Sequence, residues 1–415
     1  MSPSKPPKRA RRRKGEGSIF QRSDGLWIAK VTREDGTAYQ RGRARYEDAL
    51  TELRKMLDEV RDGIDPAAGT ALLDEWMTRW LDDIASQRVR PGTLDTYRSA
   101  VRQHIRPALG AKQVAKIRPA DVRSMVRATT ARRSTRTAQA AFNILAKALD
   151  DAVNEGLLRS NPCRRMDRPD SLSQQREPLT VDQARAALLY VAATEDPMLA
   201  SRWTLSLLSG VRQGEALGLE WARVDFDRDV IDVSKQLRRV RLKPDAVLPE
   251  GDVYPRDVFA APKTYVFEPV WKGMCLVDTK TKGSRRVIPM LPPLRAALWA
   301  LRGQSSGRLV FTRPDGRPIV AADDTDAWRA MCVAANIAPT AVLAPDQHAS
   351  RNTVATLLLE AGVEESVRMA ILGHVTVAAH RGYVSTSTDV TREALGKMAA
   401  ILKLDEPAAQ PPGQT

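Results

Sequence analysis

Leu207-Leu-Ser-Gly-Val-Arg-Gln-Gly-Glu-Ala-Leu-Gly-Leu-Glu-Trp221 is the stretch on which the reading of this chain turns. An apolar helix ends at Gly210, and the next begins with Arg212 and Glu215 beside Leu217 and Leu219. Arg212 therefore sits at a helix junction among buried groups, with Glu215 one turn on to orient it. The planar donors of an arginine held this way can grip two phosphate oxygens at once. Taken alone, the segment is explained better as a structural Arg–Glu pair.

Three further segments place polar residues where a pure core would not want them. Asp278-Thr-Lys-Thr-Lys-Gly-Ser-Arg-Arg-Val-Ile-Pro289 is a basic turn entering an apolar strand. A lysine at such a tip can reach a reacting phosphate and give a proton, although a solvated turn is the default explanation. In Pro345-Asp-Gln-His-Ala-Ser-Arg-Asn-Thr-Val-Ala-Thr-Leu-Leu-Leu-Glu-Ala-Gly362, His348 and Arg351 are three apart at the start of a helix that ends at Gly362. An imidazole and a guanidinium converging on one point suit acid–base work beside an anion. In Met369-Ala-Ile-Leu-Gly-His-Val-Thr-Val-Ala-Ala-His-Arg-Gly-Tyr383, Gly373 ends a helix and exposes His374, and Tyr383 follows nine residues later. A lone tyrosine is more often a packing residue than a nucleophile.

The four segments together, in the order Arg, Lys, His-x-x-Arg, His, Tyr, resemble the tyrosine recombinases, the phage integrase family. The flanking words Ser-Gly-Val-Arg-Gln-Gly-Glu-Ala-Leu-Gly-Leu, Lys-Thr-Lys-Gly-Ser-Arg-Arg-Val-Ile-Pro and Leu-Gly-His ahead of Tyr carry the likeness, which spans Glu177 to Leu404. The resemblance implies that Tyr383 attacks the scissile phosphate to form a 3′-phosphotyrosyl bond. It gives Arg212 and Arg351 the non-bridging oxygens, and His374 a contact to a phosphate oxygen. His348 becomes a general base towards Tyr383 or a phosphate hydrogen-bond donor. A lysine, Lys280 in preference to the competing Lys282, protonates the departing 5′-hydroxyl. No cofactor, metal or nucleotide is then required, because the phosphotyrosine retains the bond energy for religation. Asn352 stands where many relatives carry His, and Gln347 and Ala349 replace commoner neighbours of the His-x-x-Arg motif.

Upstream, the first fourteen residues hold Lys5, Lys8, Arg9, Arg11, Arg12, Arg13 and Lys14 with three prolines and no acid, so residues 1–16 read as a disordered basic arm. From residue 17 to 65, three β-like runs separated by Asp24-Gly25 and Asp35-Gly36 predict a three-stranded meander. A helix over Tyr46–Val60 covers one face, with Leu50, Leu53, Met56, Leu57 and Val60 at helical spacing. The other face, with Arg, Lys, Gln and Thr, could enter a major groove or simply be solvated. By resemblance this is an arm-type DNA-binding domain. Residues 70–168 read as an all-helical bundle that resembles the core-type DNA-binding domain. Its arginines, among them Arg88, Arg90, Arg98, Arg102 and Arg106, look poorly balanced by acids and favour a DNA-facing surface. A mainly helical catalytic domain follows over 177–404, opened by the capping box Thr180-Val-Asp-Gln183. It carries a small antiparallel sheet, with strands near Val224–Val233 and Arg285–Met290. Lys243 to Lys272 stays unassigned as an insertion between those strands, and 405–415 is a tail. Ala394 to Leu404 forms a helix that packs on a neighbouring protomer or finishes its own core.

The chain has 415 residues, and 65 Lys+Arg against 50 Asp+Glu leave it at +15, a field that draws polyanions. Three dispersed cysteines suggest neither a disulfide framework nor a zinc site, and fit a reducing cytoplasm. With no apolar stretch near the ~20 residues of a membrane helix, no membrane partner is expected. The partners implied by the resemblance are double-stranded DNA at core-type and arm-type attachment sites and three further copies of the chain in a homotetramer, with DNA-bending and directionality factors besides. Two other readings stand against the integrase. A catalytically silent DNA-binding protein on the same scaffold has no need of Tyr383 or His348, and a type IB topoisomerase has no need of the amino-terminal arm-like domain.

Overall fold

Asp24-Gly25 turns β1 (Ser18–Gln21) back along β2 (Trp27–Thr32), with Gly25 supplying the left-handed backbone (φ 88°) that the tight turn needs. β3 (Ala38–Arg43) completes an antiparallel meander in register Lys30↔Gln40 and Thr32↔Ala38. The computed structural model describes residues 17–32, 36–61, 71–171, 177–279, 285–373 and 387–403. Helix α1 (Tyr46–Arg61) lays Leu53 and Met56 on Ala29 and Val31 to form a small core. Arg41, paired across the ladder with Ala29, shares that helix-facing side and is held by Glu52 (2.6 Å) and Glu59 (3.1 Å). It is therefore not on the open face, which carries Lys30 and Gln40 by strand alternation.

A second core is entirely helical. α2 (Leu73–Arg79) runs on through a wide turn at Trp80–Ala85 into α3 (Ser86–Arg88). α4 (Pro91–Ala100) runs on in the same way through Val101–Ile105 into α5 (Arg106–Leu109). α6 (Pro119–Arg132) and α7 (Thr135–Asn154) complete the bundle. Pro91 and Pro119 stand at first helical positions, where a missing N–H costs nothing. The buried indoles of Trp76 and Trp80 donate to Ala148 O (3.0 Å) and Asp151 (2.7 Å). The arginines here are better balanced than the sequence suggests. Arg88 pairs with Asp151 (2.8 Å), Arg98 with Asp82 (2.9 Å) and Arg106 with Asp74, because helix packing brings acids from distant positions alongside them.

These elements belong to one compact unit, Met1–Ser173, and the remainder to another, Gln174–Thr415. The second unit opens with α8 (Val181–Ala192), capped reciprocally by Thr180 and Gln183 as its sequence predicts. α9 (Pro197–Ser209) is buried over most of its length and leads into α10 (Gln213–Leu217). Later come α11 (Pro292–Arg302), α12 (Ala321–Ala334), α13 (His348–Glu360), α14 (Glu365–Leu372) and α15 (Thr388–Ile401). Leu395, Met398 and Leu402 of the last segment pack into this unit's own core, the second of the two roles expected for it.

Among the described residues, two antiparallel sheets, not one, lie between α10 and α11 in the chain. β4 (Val224–Asp225), β5 (Val230–Val233) and β9 (Arg286–Pro289) form the first, in order β4-β5-β9. β6 (Lys235–Arg239), β7 (Phe267–Trp271) and β8 (Met274–Asp278) form the second, in order β6-β8-β7. β8 is apolar on both faces. Met274 and Leu276 pack with Leu237 and Leu217, whereas Cys275 and Val277 pack with Val240, Tyr254, Phe259 and Phe267. The unassigned stretch 243–272 thus has a core of its own. It escapes periodicity because a strand covered on both sides has no alternation to read.

Candidate active site

α9 ends at Gly210 in the left-handed region (φ 60°), where an added Cβ would meet Leu372 Cδ2 at 2.9 Å and Val354 Cβ at 3.2 Å. This tight end turns the chain and places Arg212 as the residue that opens α10. The Arg212 N–H donates to Glu215 Oε2 (2.9 Å) and its Nη1 to Glu215 Oε1 (2.7 Å). The expected orienting pair is therefore formed.

α13 starts by a different device. Asp346 accepts the backbone N–H of His348 (2.8 Å), and the indole of Trp328 donates to Pro345 O (2.8 Å). His348 is exposed at the first helical position, and Arg351, one turn on, is only 2% exposed. Arg212, His348 and Arg351, which come from two distant segments, line one cavity of about 410 Å³ with Gln213, Gln347 and Trp328. Lys280, Lys282, His374 and Tyr383 lie outside the described residues. A larger cavity of about 730 Å³, lined by Met198, Trp203, Leu301 and Asp323 among others, holds none of the predicted site residues.

Three guanidiniums converge on the end of α14. Arg286 Nε donates to Ile371 O (2.7 Å), Arg351 Nη2 to Leu372 O, and Arg212 Nη2 to Gly373 O (3.3 Å). Arg351 Nη1 also donates to Gly210 O at 2.6 Å. Helix C-termini leave carbonyls without partners and carry the negative end of the helix dipole, so cations are favoured there. Arg286 completes the cluster by donating to Glu215 Oε2 (2.9 Å).

Three positive groups thus surround one carboxylate. Burial pushes the Glu215 carboxyl up, but Arg286 and Arg212 outweigh it and hold the group at about 2. Burial, then the charges of Arg212 and Arg286, pull the Arg351 guanidinium down to about 9, with Glu215 opposing. Arg351 therefore stays a cation at neutral pH, in a cluster whose positive charge exceeds its negative.

Arg286 carries no predicted role, yet a signal exists. Ile288 faces the core, so the two-residue period of β9 sends Arg286 inward and leaves Val287, 46% exposed, outward. A charged residue on the inner face beside an exposed valine marks a position selected for something other than packing.

Comparison with known proteins decides the family. Residues 72–128 match the model described as phage integrase, N-terminal SAM-like domain, and residues 270–389 match that of the phage integrase family. An integrase of Saccharopolyspora erythraea is 26% identical over 94% of this chain and 98% of its own length. The chain belongs to the phage integrase family, the tyrosine recombinases. A XerC-like tyrosine recombinase of Caldanaerobacter subterraneus subsp. tengcongensis is 23% identical over 80% of this chain and 83% of that relative. Among solved structures, the Tn1549 transposon integrase in complex with transposon right end DNA covers 79% of this chain and 100% of its own, with TM-score 0.59 and 19% identity. A lambda integrase tetramer bound to a Holliday junction covers 86% and 95%, with TM-score 0.52 and 17% identity. At these identities the structures establish the fold, a mixture of helices with small antiparallel sheets. The match to the phage integrase family spans the positions of Lys280, His348, Arg351, His374 and Tyr383, while Arg212 precedes it.

Proposed function

We propose that this site-specific recombinase cleaves and rejoins DNA through Tyr383, with Arg212 and Arg351 holding the scissile phosphate. The observation that carries this is the cavity in which Arg212, Arg351 and His348 meet, backed by Arg286, where the three guanidiniums outnumber the nearby carboxylates Glu215 and Asp346 among the described residues. Such a site lacks negative charge that a phosphodiester would supply. Preorganised guanidiniums stabilise the charge that builds on the equatorial oxygens as phosphorus is attacked.

In the forward step the Tyr383 oxygen bonds to phosphorus and the 5′-oxygen leaves. The phenol proton passes to His348 as general base or, where His348 instead donates a hydrogen bond to the phosphate, to water, and Lys280 protonates the departing 5′-oxygen. Lys282 is the competing donor. The reverse attack by a 5′-hydroxyl of a second strand rejoins the backbone, so no external energy enters. His374 adds a donor to the phosphate. The arginine clamp on Ile371, Leu372 and Gly373 ties the phosphate-binding groups to the helix end that immediately precedes His374, which supports a common register for the two halves of the site.

In the same reading, residues 17–65 bind arm-type sites and 70–168 bind core-type sites. Four protomers built on catalytic domains 177–404 exchange strands on two DNA duplexes, helped by bending and directionality factors. No helix among the described residues is long and apolar enough to cross a membrane, and the cytoplasm, where the DNA is, is the proposed compartment. The test is incubation of wild type and Tyr383→Phe with nicked suicide DNA carrying the attachment site. Wild type is expected to give a covalent band on a denaturing gel and the variant none. A wild type that binds this DNA without forming the band refutes the cleavage chemistry.

A further inference from the structure

We propose that Asp324 is a positioning residue for DNA cleavage, which sets Arg212 and His348 in place through the glutamines beside them. The assignment rests on the cleavage chemistry proposed above. Asp324, on α12, is 2% exposed and Arg202, on α9, 3%. They form a two-point pair, Arg202 Nε to Oδ1 and Nη2 to Oδ2, both at 2.8 Å. Arg202 Nη1 donates to Ser206 Oγ (2.5 Å), and the guanidinium lies over the rings of Trp203 and Phe311.

The same carboxylate has two more donors. Gln213 Nε2 reaches Asp324 Oδ2 at 3.0 Å, and Gln347 Nε2 reaches it at 2.8 Å. Gln213 follows Arg212 as the first residue of α10, and Gln347 precedes His348 as the residue that opens α13. Gln213 Nε2 also lies within reach of Ala321 O (2.9 Å) and Thr325 Oγ1 (3.2 Å), both on α12. One buried oxygen therefore joins the two helix starts that deliver the two side chains to the cavity.

A buried ion pair is a poor source of stability, because desolvation offsets most of its attraction. Two-point geometry and four donors on one carboxylate do, however, fix positions sharply. Cleavage depends steeply on such positions, whereas DNA affinity is dominated by many phosphate contacts elsewhere. The network should therefore affect rate and leave binding alone.

The test measures single-turnover formation of the covalent complex on nicked suicide DNA, together with DNA affinity and thermal midpoint. Gln347→Ala and Gln213→Ala remove partly exposed donors and leave the Arg202–Asp324 pair intact. Each is expected to slow covalent complex formation about ten- to a hundredfold, the cost of a misplacement near 1 Å, with affinity and midpoint kept at the wild-type level. Gln347→Glu sets a second carboxylate against Asp324 and is expected to slow the reaction further. Wild-type rates in both alanine variants, or reductions that track the thermal midpoint, would overturn the assignment. A wild type without any covalent complex would instead refute the cleavage chemistry on which the assignment rests.

Discussion

Arg351 is held by two backbone carbonyls, Gly210 O and Leu372 O, and lysine cannot reproduce that fork. Arg351→Lys is expected to lower the cleavage rate at least about a hundredfold, the scale seen when one preorganised donor to a developing oxyanion is removed. A gel-shift assay should find binding near wild type, and a similar fall in both would contradict the role. Glu215 is bonded to Arg212 and Arg286, so Glu215→Gln leaves two guanidiniums facing each other. The expected loss of stability is about 3–5 kcal/mol in a denaturant titration. Its titration adds a sign that can be checked. A carboxyl held at about 2, below its ordinary 4.5, contributes stability fully above that ordinary value and gives it up as pH falls towards 2. The thermal midpoint should therefore be insensitive to Glu215 from pH 7 to 5 and fall between about 4.5 and 2, less steeply in Glu215→Gln. A midpoint that rises on acidification through this window would show that the carboxyl is not held by its arginines.

At the scale of elements, α10 and β6 approach so closely that a Cβ on Gly218 would meet the Leu237 N at 2.4 Å and Gln236 C at 2.7 Å. Both are backbone atoms, which cannot rotate away. Gly218→Ala is expected to cost about 1–3 kcal/mol by overpacking, and to loosen Arg212 by pushing the second sheet off α10. Chemical denaturation checks the first effect and the cleavage rate the second, and a variant with wild-type stability would contradict the close approach. These elements also show what a sequence can and cannot disclose. The break at Gly210, the Arg212–Glu215 pair and the Thr180–Gln183 cap are readable because each is a local device whose partners lie within a few residues. The sheet β6-β8-β7 is not readable, since its β8 is buried on both faces and one partner, β7, lies inside the irregular stretch 243–272 while the other, β6, precedes it. Asp324 is equally hidden. Its partners Arg202, Gln213 and Gln347 are up to 122 residues away and none forms a motif with it.

Across the whole molecule, the excess of fifteen positive charges draws polyanions, and the number of phosphates its cations neutralise sets how binding responds to salt. Removing a single phosphate interaction should lower the slope of log affinity against log salt by about 0.9. Residues 1–14 hold seven Lys and Arg and no acid to offset them. Deleting them is expected to reduce that slope and weaken binding without changing the cleavage rate of the bound complex. An unchanged slope would show that the arm does not touch DNA. Function is more legible than architecture, because the polar residues of the four motif segments interrupt apolar patterns, whereas the second sheet interrupts nothing. The most direct measurement is mass spectrometry of the covalent complex after exhaustive nuclease and protease digestion. The predicted result is a nucleotide remnant esterified to Tyr383, dependent on Arg212 and Arg351, and a remnant on any other residue would contradict it.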